Sequence, residues 1–189
     1  MSGAFDPACL RNARIAIICE GSMERVVMET LLAAHALVFD AEQVIPDVAT
    51  GRATIPVRSA GKFADTYLTM EWEAQVVVIR VLDSLRERFV LPKAYRNMPV
   101  YSFHTRPEIE RLVILAEGQE RSWQSYSQKQ KNAKPSGFCR RVLGYADVKH
   151  EDWARAYWRD SDNLCDAIRE YHRIHRCEKN EYDLMWLLK

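Results

Sequence analysis

A chain of 189 residues, 48% hydrophobic and 28% charged, has enough apolar material for one generous domain, or one domain with a helical extension. A formal net charge of +1 argues neither for nor against nucleic acid, so such a role has to rest on local patches. Five cysteines without a CxxC pair give no zinc motif and suit a reduced cytosolic protein; no signal-peptide core or run of spanning length appears, so the expectation is a soluble, cytoplasmic chain with no membrane partner.

The opening signal is Arg14 to Glu24, RIAIICEGSME. Ile15 to Cys19 is a continuous apolar run, which predicts a strand buried on both faces. It stops at Glu20-Gly21-Ser22, where Gly21 allows a tight turn, Ser22 can cap a helix, and Glu24 falls in the first helical turn. In a parallel α/β sheet the loop after a strand's carboxyl end is where ligands gather, so this strand delivers two carboxylates to that place. The same spacing also suits a plain capping arrangement at a βα turn.

Met23 to Phe39 carries a broad apolar helical face, and Asp40 to Gly51 reads as a loop. Ala53 to Val57 is a short strand that Pro56 places at an edge, and Ser59 caps a helix from Ala60 to Trp72. Gln75 to Leu82 is a second buried parallel strand, ending in Asp83. Pro99 to Phe103 is another, ending in His104-Thr105, with Thr105 capping a helix from Pro107 to Gly118. Gln119 to Lys134 reads as a surface loop with a short helical start through Trp123. The remainder is helical: Pro135–Leu143, Glu151–Trp158, Asn163–Ile174 and Glu181–Leu188. The expected architecture is α/β, a small parallel sheet flanked by helices over residues 1–118, with a basic loop and helical extension over 119–189 packed on it.

Acids follow three strands: Glu20 with Glu24, Asp83 with Glu87, and Glu108 with Glu110. Parallel strands end on one edge, so these carboxylates can converge, and a hard divalent cation is the usual remedy for their repulsion. Taken singly, each also suits a helix N-terminal acid, worth about 0.3–1 kcal/mol.

An apolar strand, then Glu-Gly-x-x-Glu opening a helix, then a later apolar strand ending in Asp, resembles the Toprim pattern. The likeness is to the small RloB-like and OLD-type nucleases of bacterial defence systems, where a Pro-x-x-Glu segment opens a helix, as Pro107 to Glu110 does here. The resemblance covers residues 14–118. It implies Glu20 as principal metal ligand and general base, Asp83 as a second ligand, and Glu24 and Glu110 as supporting acids, with Mg²⁺ or Mn²⁺ as cofactor. Two departures stand out. Toprim proteins carry Asp-x-Asp after the later strand, whereas this chain has Asp83-Ser84-Leu85; and the ATPase phosphate loop of OLD-type enzymes is absent.

Lys129, Lys131, Lys134, Arg140 and Arg141 lie in a stretch without acids, KQKNAKPSGFCRR. They form either a solvated face or a phosphate-binding patch in which Lys134 neutralises a charged transition state, with Trp123, Tyr126 and Phe138 available for base stacking or for the core. His104 is a hydrogen-bonded turn histidine, or a metal ligand or proton donor at the acidic edge. His172 and His175 have metal-like spacing but no evident acid partner, so an exposed basic face is expected. Arg80, bracketed with Arg86 and Arg88 around Asp83, falls inside an apolar strand and needs a carboxylate of the acidic edge or a substrate phosphate. The leading expectation is a metal-dependent nuclease acting on DNA or RNA, with a homodimer allowed. The alternative is a catalytically degenerate Toprim-like module that binds a partner protein or nucleic acid; a small phosphotransfer enzyme is a third.

Overall fold

The computed structural model describes residues 5–19, 21–85, 87–175, 177–178 and 181–189. Four strands form one all-parallel sheet in the order β2-β1-β3-β4: β1 (Arg14–Cys19), β2 (Thr54–Ile55), β3 (Val76–Leu82) and β4 (Val100–His104). β1 and β3 are central, which explains their nearly continuous apolar character, and every residue of β3 is buried, Arg80 included. β2 is a two-residue edge strand, as expected beside Pro56.

Alternation along the strands sorts the core into two unequal layers. Ile15, Ile17, Val77, Ile79, Val81 and Phe103 face a large helical layer. Ala16, Ile18, Val76 and Val78 face a smaller cluster with Phe63, Tyr67 and Leu91. The large layer is built from α1 (Ser22–Ala33), α3 (Arg111–Ala116), α4 (Glu120–Lys129), α5 (Pro135–Arg141), α6 (Glu151–Tyr157) and α7 (Ser161–Ile174). The small layer holds α2 (Ala60–Phe63), capped by the Ser59 side chain, and a wider π turn over Ala64–Leu68. Trp123, Phe138, Trp158, Leu164, Ile168 and Tyr171 share one buried cluster with β1 and β3, so residues 119–189 complete the main core.

Five local expectations are corrected. Ser22 is the first helical residue, and Gly21 is the N-cap, without a side-chain bond. α1 stops at Ala33, not Phe39, because His35 turns to φ +52° and Leu37 leaves to bridge Leu188. Thr105 does not cap a helix: its N–H donates to Leu82 O, extending the β3–β4 ladder, and α3 starts only at Arg111. Gln119 to Lys134 contains a full helix, α4, whose polar sequence is anchored by Trp123 and Tyr126 on Phe138 and by the Arg111–Glu120 ion pair. Glu181 to Leu188 is no α-helix. Tyr182 bridges Phe103 in parallel, Asp183 caps a single 3₁₀ turn (Leu184–Leu187), and Leu188 bridges Leu37.

No helix among the described residues is long and apolar enough to cross a membrane.

Candidate active site

β1 ends at Cys19, and Glu20, the residue expected to lead the acidic edge, lies outside the described residues, as does Arg86. The neighbouring Gly21 is described. Its backbone is ordinary extended chain (φ −106°, ψ 168°), so the turn itself does not require glycine. Space does: a Cβ on Gly21 would collide with Glu24 Oε2 and stand 3.1 Å from Glu24 Cδ. The Glu24 carboxylate therefore folds back over the one residue that leaves it room.

Glu24 is buried in the first turn of α1. Burial, then the charges of Glu110 and Asp83, push its carboxyl up from 4.5 to about 7. Glu110, which precedes α3, is also buried, and burial raises its pKa. Glu110 and Asp83, each following a different strand, thus both act on Glu24, although Asp83 itself is exposed.

Glu108 behaves differently. Burial opposes its charge, but the Ser136 N–H donates to Oε2 at 3.0 Å and Lys149 Nζ reaches Oε1 at 3.3 Å, holding its pKa below the ordinary value. The expectation of a helix N-terminal acid is right in kind, but the helix is α5 and not the one Glu108 precedes in sequence. Lys149 also stands 3.6 Å from Glu110 Oε1 and is the cation that ties the two acids together. Sequence reasoning missed it, because a single lysine in the YADVKHED loop carries no periodic or spacing signal.

Arg80 lies on the sheet face away from α1. Its Nη2 is 3.4 Å from Glu87 Oε2 and its guanidinium sits 4.7 Å from the Phe89 ring centre, so a carboxylate after β3 partners it. Glu87 is thereby drawn toward Arg80. His104 is buried, its Nδ1 has no hydrogen-bond partner among the described residues, and burial lowers its pKa. Among the described residues it is thus not a hydrogen-bonded turn residue through that nitrogen.

The basic stretch forms a cleft of about 500 Å³ lined by Lys131, Lys134, Arg140, Arg141 and Lys149, with Tyr126 and Glu108 in its wall. Lys129 is exposed on the last turn of α4 and is not part of this lining. Lys134 Nζ lies 3.9 Å from Glu108 Oε1, so the cleft and the acids meet at Glu108 and Lys149. Trp123 and Phe138 are buried against each other and belong to the core; Tyr126 is half-buried and reaches the cleft.

The C-terminal histidines do have acid partners. His172 Nδ1 is 2.8 Å from Asp183 Oδ2, and His175 Nε2 is 3.2 Å from Glu181 Oε1. The basic-face expectation is overturned there, because Asp183 and Glu181 return to α7 through a turn that helical periodicity does not reveal.

Comparison of the chain with models of protein families, with curated proteins and with solved structures finds no match in any of the three.

Proposed function

We propose that the chain is a divalent-metal-dependent nuclease of Toprim type, hydrolysing phosphodiester bonds of DNA or RNA. One observation carries it: the buried Glu24 carboxyl, at the C-terminal edge of a parallel sheet, is raised by burial and by the charges of Glu110 and Asp83 from two other parts of the sequence, and Lys149 offsets them only in part. All offer hard oxygen donors, which fit Mg²⁺ or Mn²⁺ and would not favour a soft metal. Glu24 and Asp83 would hold the ion, with Glu110 in support and Glu20 as the resemblance implies. When bound, such an ion polarises a phosphate oxygen and acidifies a water molecule.

The chain's own residues supply the rest. Lys131, Lys134, Arg140 and Arg141 bind backbone phosphates along the cleft. Lys149 holds Glu108 and Glu110 in place at the junction of cleft and acids. Tyr126 offers a ring to an unpaired base. The test is Mn²⁺ calorimetry on wild type and Glu24→Gln, with cleavage of mixed DNA and RNA in parallel. Binding and cleavage by wild type, both lost in the variant, support the proposal; binding that survives Glu24→Gln refutes this placement of the metal.

A second reading is favoured by Lys149, whose ammonium already neutralises Glu108 and Glu110, together with the missing second acid after β3. On that reading the chain is a degenerate module that binds nucleic acid through the same cleft. Salt-dependent nucleic-acid binding without metal uptake or cleavage would select it.

A further inference from the structure

A second cluster lies where the chain leaves α7, and its His175 shares a cleft wall with Asp83. His175 is the C-cap residue of that helix, Cys177 follows in the loop, and Glu181 is buried at the start of the returning segment. The imidazole nitrogen, thiol sulfur and carboxylate oxygen of these three residues all lie within 4.8 Å of one another. Tyr171 stacks on the His175 ring at 4.7 Å between centroids and fixes its plane. Arg106 grips Glu181 through Nε at 2.7 Å and Nη2 at 2.8 Å, and the Glu178 N–H donates to the same carboxylate at 2.7 Å. A fourth donor stands beside them: Asp183 Oδ2, 3.6 Å from Cys177 Sγ and braced by His172.

We propose that His175, Cys177 and Glu181 form a zinc site that staples the returning C-terminal segment to the end of α7. The donors decide the metal. Imidazole nitrogen and thiolate sulfur are borderline to soft ligands that suit Zn²⁺ and not Mg²⁺ or Ca²⁺. Spacing agrees. Nitrogen and oxygen ligands of a tetrahedral zinc, each about 2.0–2.1 Å from the metal, stand about 3.3 Å apart. His175 Nε2 and Glu181 Oε1 are 3.2 Å apart, wider than the 2.7–2.9 Å usual for a charge-assisted hydrogen bond. Charge agrees as well: a dication with one thiolate, one carboxylate and a neutral imidazole is neutral. Arg106 and Tyr171 are then the outer partners that orient two of the ligands. The proposal does not depend on nuclease activity, because it uses none of Glu24, Asp83 or Glu110.

The same residues have a metal-free alternative, in which His175 and Arg106 together serve as counter-ions to Glu181. Titration of the full-length, metal-stripped chain with Co²⁺ separates the two. One equivalent should bind with the intense visible bands of a tetrahedral site and an ultraviolet thiolate-to-cobalt band, and Zn²⁺ should displace it. Cys177→Ser should abolish the thiolate band and weaken zinc binding more than about 100-fold, beyond the 10–100-fold typical of losing an outer partner. Cys177 is exposed, so this variant should fold, and His175→Ala should give the same loss. Cys9→Ser, another exposed thiol, should change nothing. No stoichiometric binding by wild type, or a thiolate band that survives Cys177→Ser, would overturn the site.

Discussion

Helix α1 carries two carboxylates on neighbouring turns, the buried Glu24 and the part-buried Glu29, whose surroundings differ sharply. Glu29 is saturated: Arg52 donates from Nε at 3.0 Å and Nη2 at 2.9 Å, Thr54 Oγ1 donates at 3.0 Å, and Arg155 adds a further bond. Burial works against its charge, yet those donors hold its pKa below the ordinary value. Glu151 completes this network with Arg25, Arg52 and Arg155, and the hydrogen bond from Arg52, with that from Arg155, brings its pKa from 4.5 down to about 2. Glu24 has the opposite setting, buried beside other acids. One carboxylate is matched to fixed cations and ties α1 to β2 and α6. The other has no such donors around it among the described residues, and the charge of Lys149 offsets its acidic neighbours only in part.

The largest contrast should appear in Glu24→Gln. If the acidic edge binds metal, cleavage should fall about 10³-fold or more while the melting temperature holds or rises, since a buried like-charge group has been neutralised. Glu29→Gln should do the reverse, leaving cleavage and Mn²⁺ binding intact. Gly21→Ala comes next. The added methyl displaces only the flexible end of Glu24, so stability should change by less than about 1 kcal/mol, whereas metal affinity should drop about 10–100-fold. Calorimetry beside thermal melts reads both.

Arg52→Ala should cost about 1–3 kcal/mol in denaturant unfolding, because it leaves Glu29 and Glu151 short of partners. The pH dependence is smaller and has two signs. Glu151, with its folded pKa depressed, contributes stability above about pH 4.5 that is lost as pH falls toward 2; exposure limits this to about 1–2 kcal/mol. Glu24, with its folded pKa raised, favours the fold most below pH 4.5, and that contribution declines as pH rises through about 7. Metal-free protein should therefore lose stability between pH 4.5 and 7, and Glu24→Gln should flatten that slope.

The sheet was legible because burial on both faces leaves a continuous apolar signature, as in QVVVIRVL, and because Pro56 marks an edge. Glu24 and Glu110 were legible as acids that follow strands. Lys149, the Glu108 cap on α5 and the pairing of His172 with Asp183 were not, since each depends on a loop folding back on a distant element. Gly21 was noticed for the wrong physics: sequence suggests backbone freedom, while the structure shows a collision avoided. α4 was hidden because a mostly polar helix held by Trp123 and Tyr126 has few apolar periods to display.

The pairing of Tyr182 with Phe103 has a consequence for synthesis. β4 is the last strand of the sheet in order, and its outer edge is met by a segment made roughly eighty residues later, at a ribosomal pace of about 5–20 residues per second. For several seconds the nascent chain carries a finished strand with an open edge, long enough for it to meet another copy. Substitutions that weaken the return of Tyr182 should accordingly lower soluble yield before they alter anything the mature protein does.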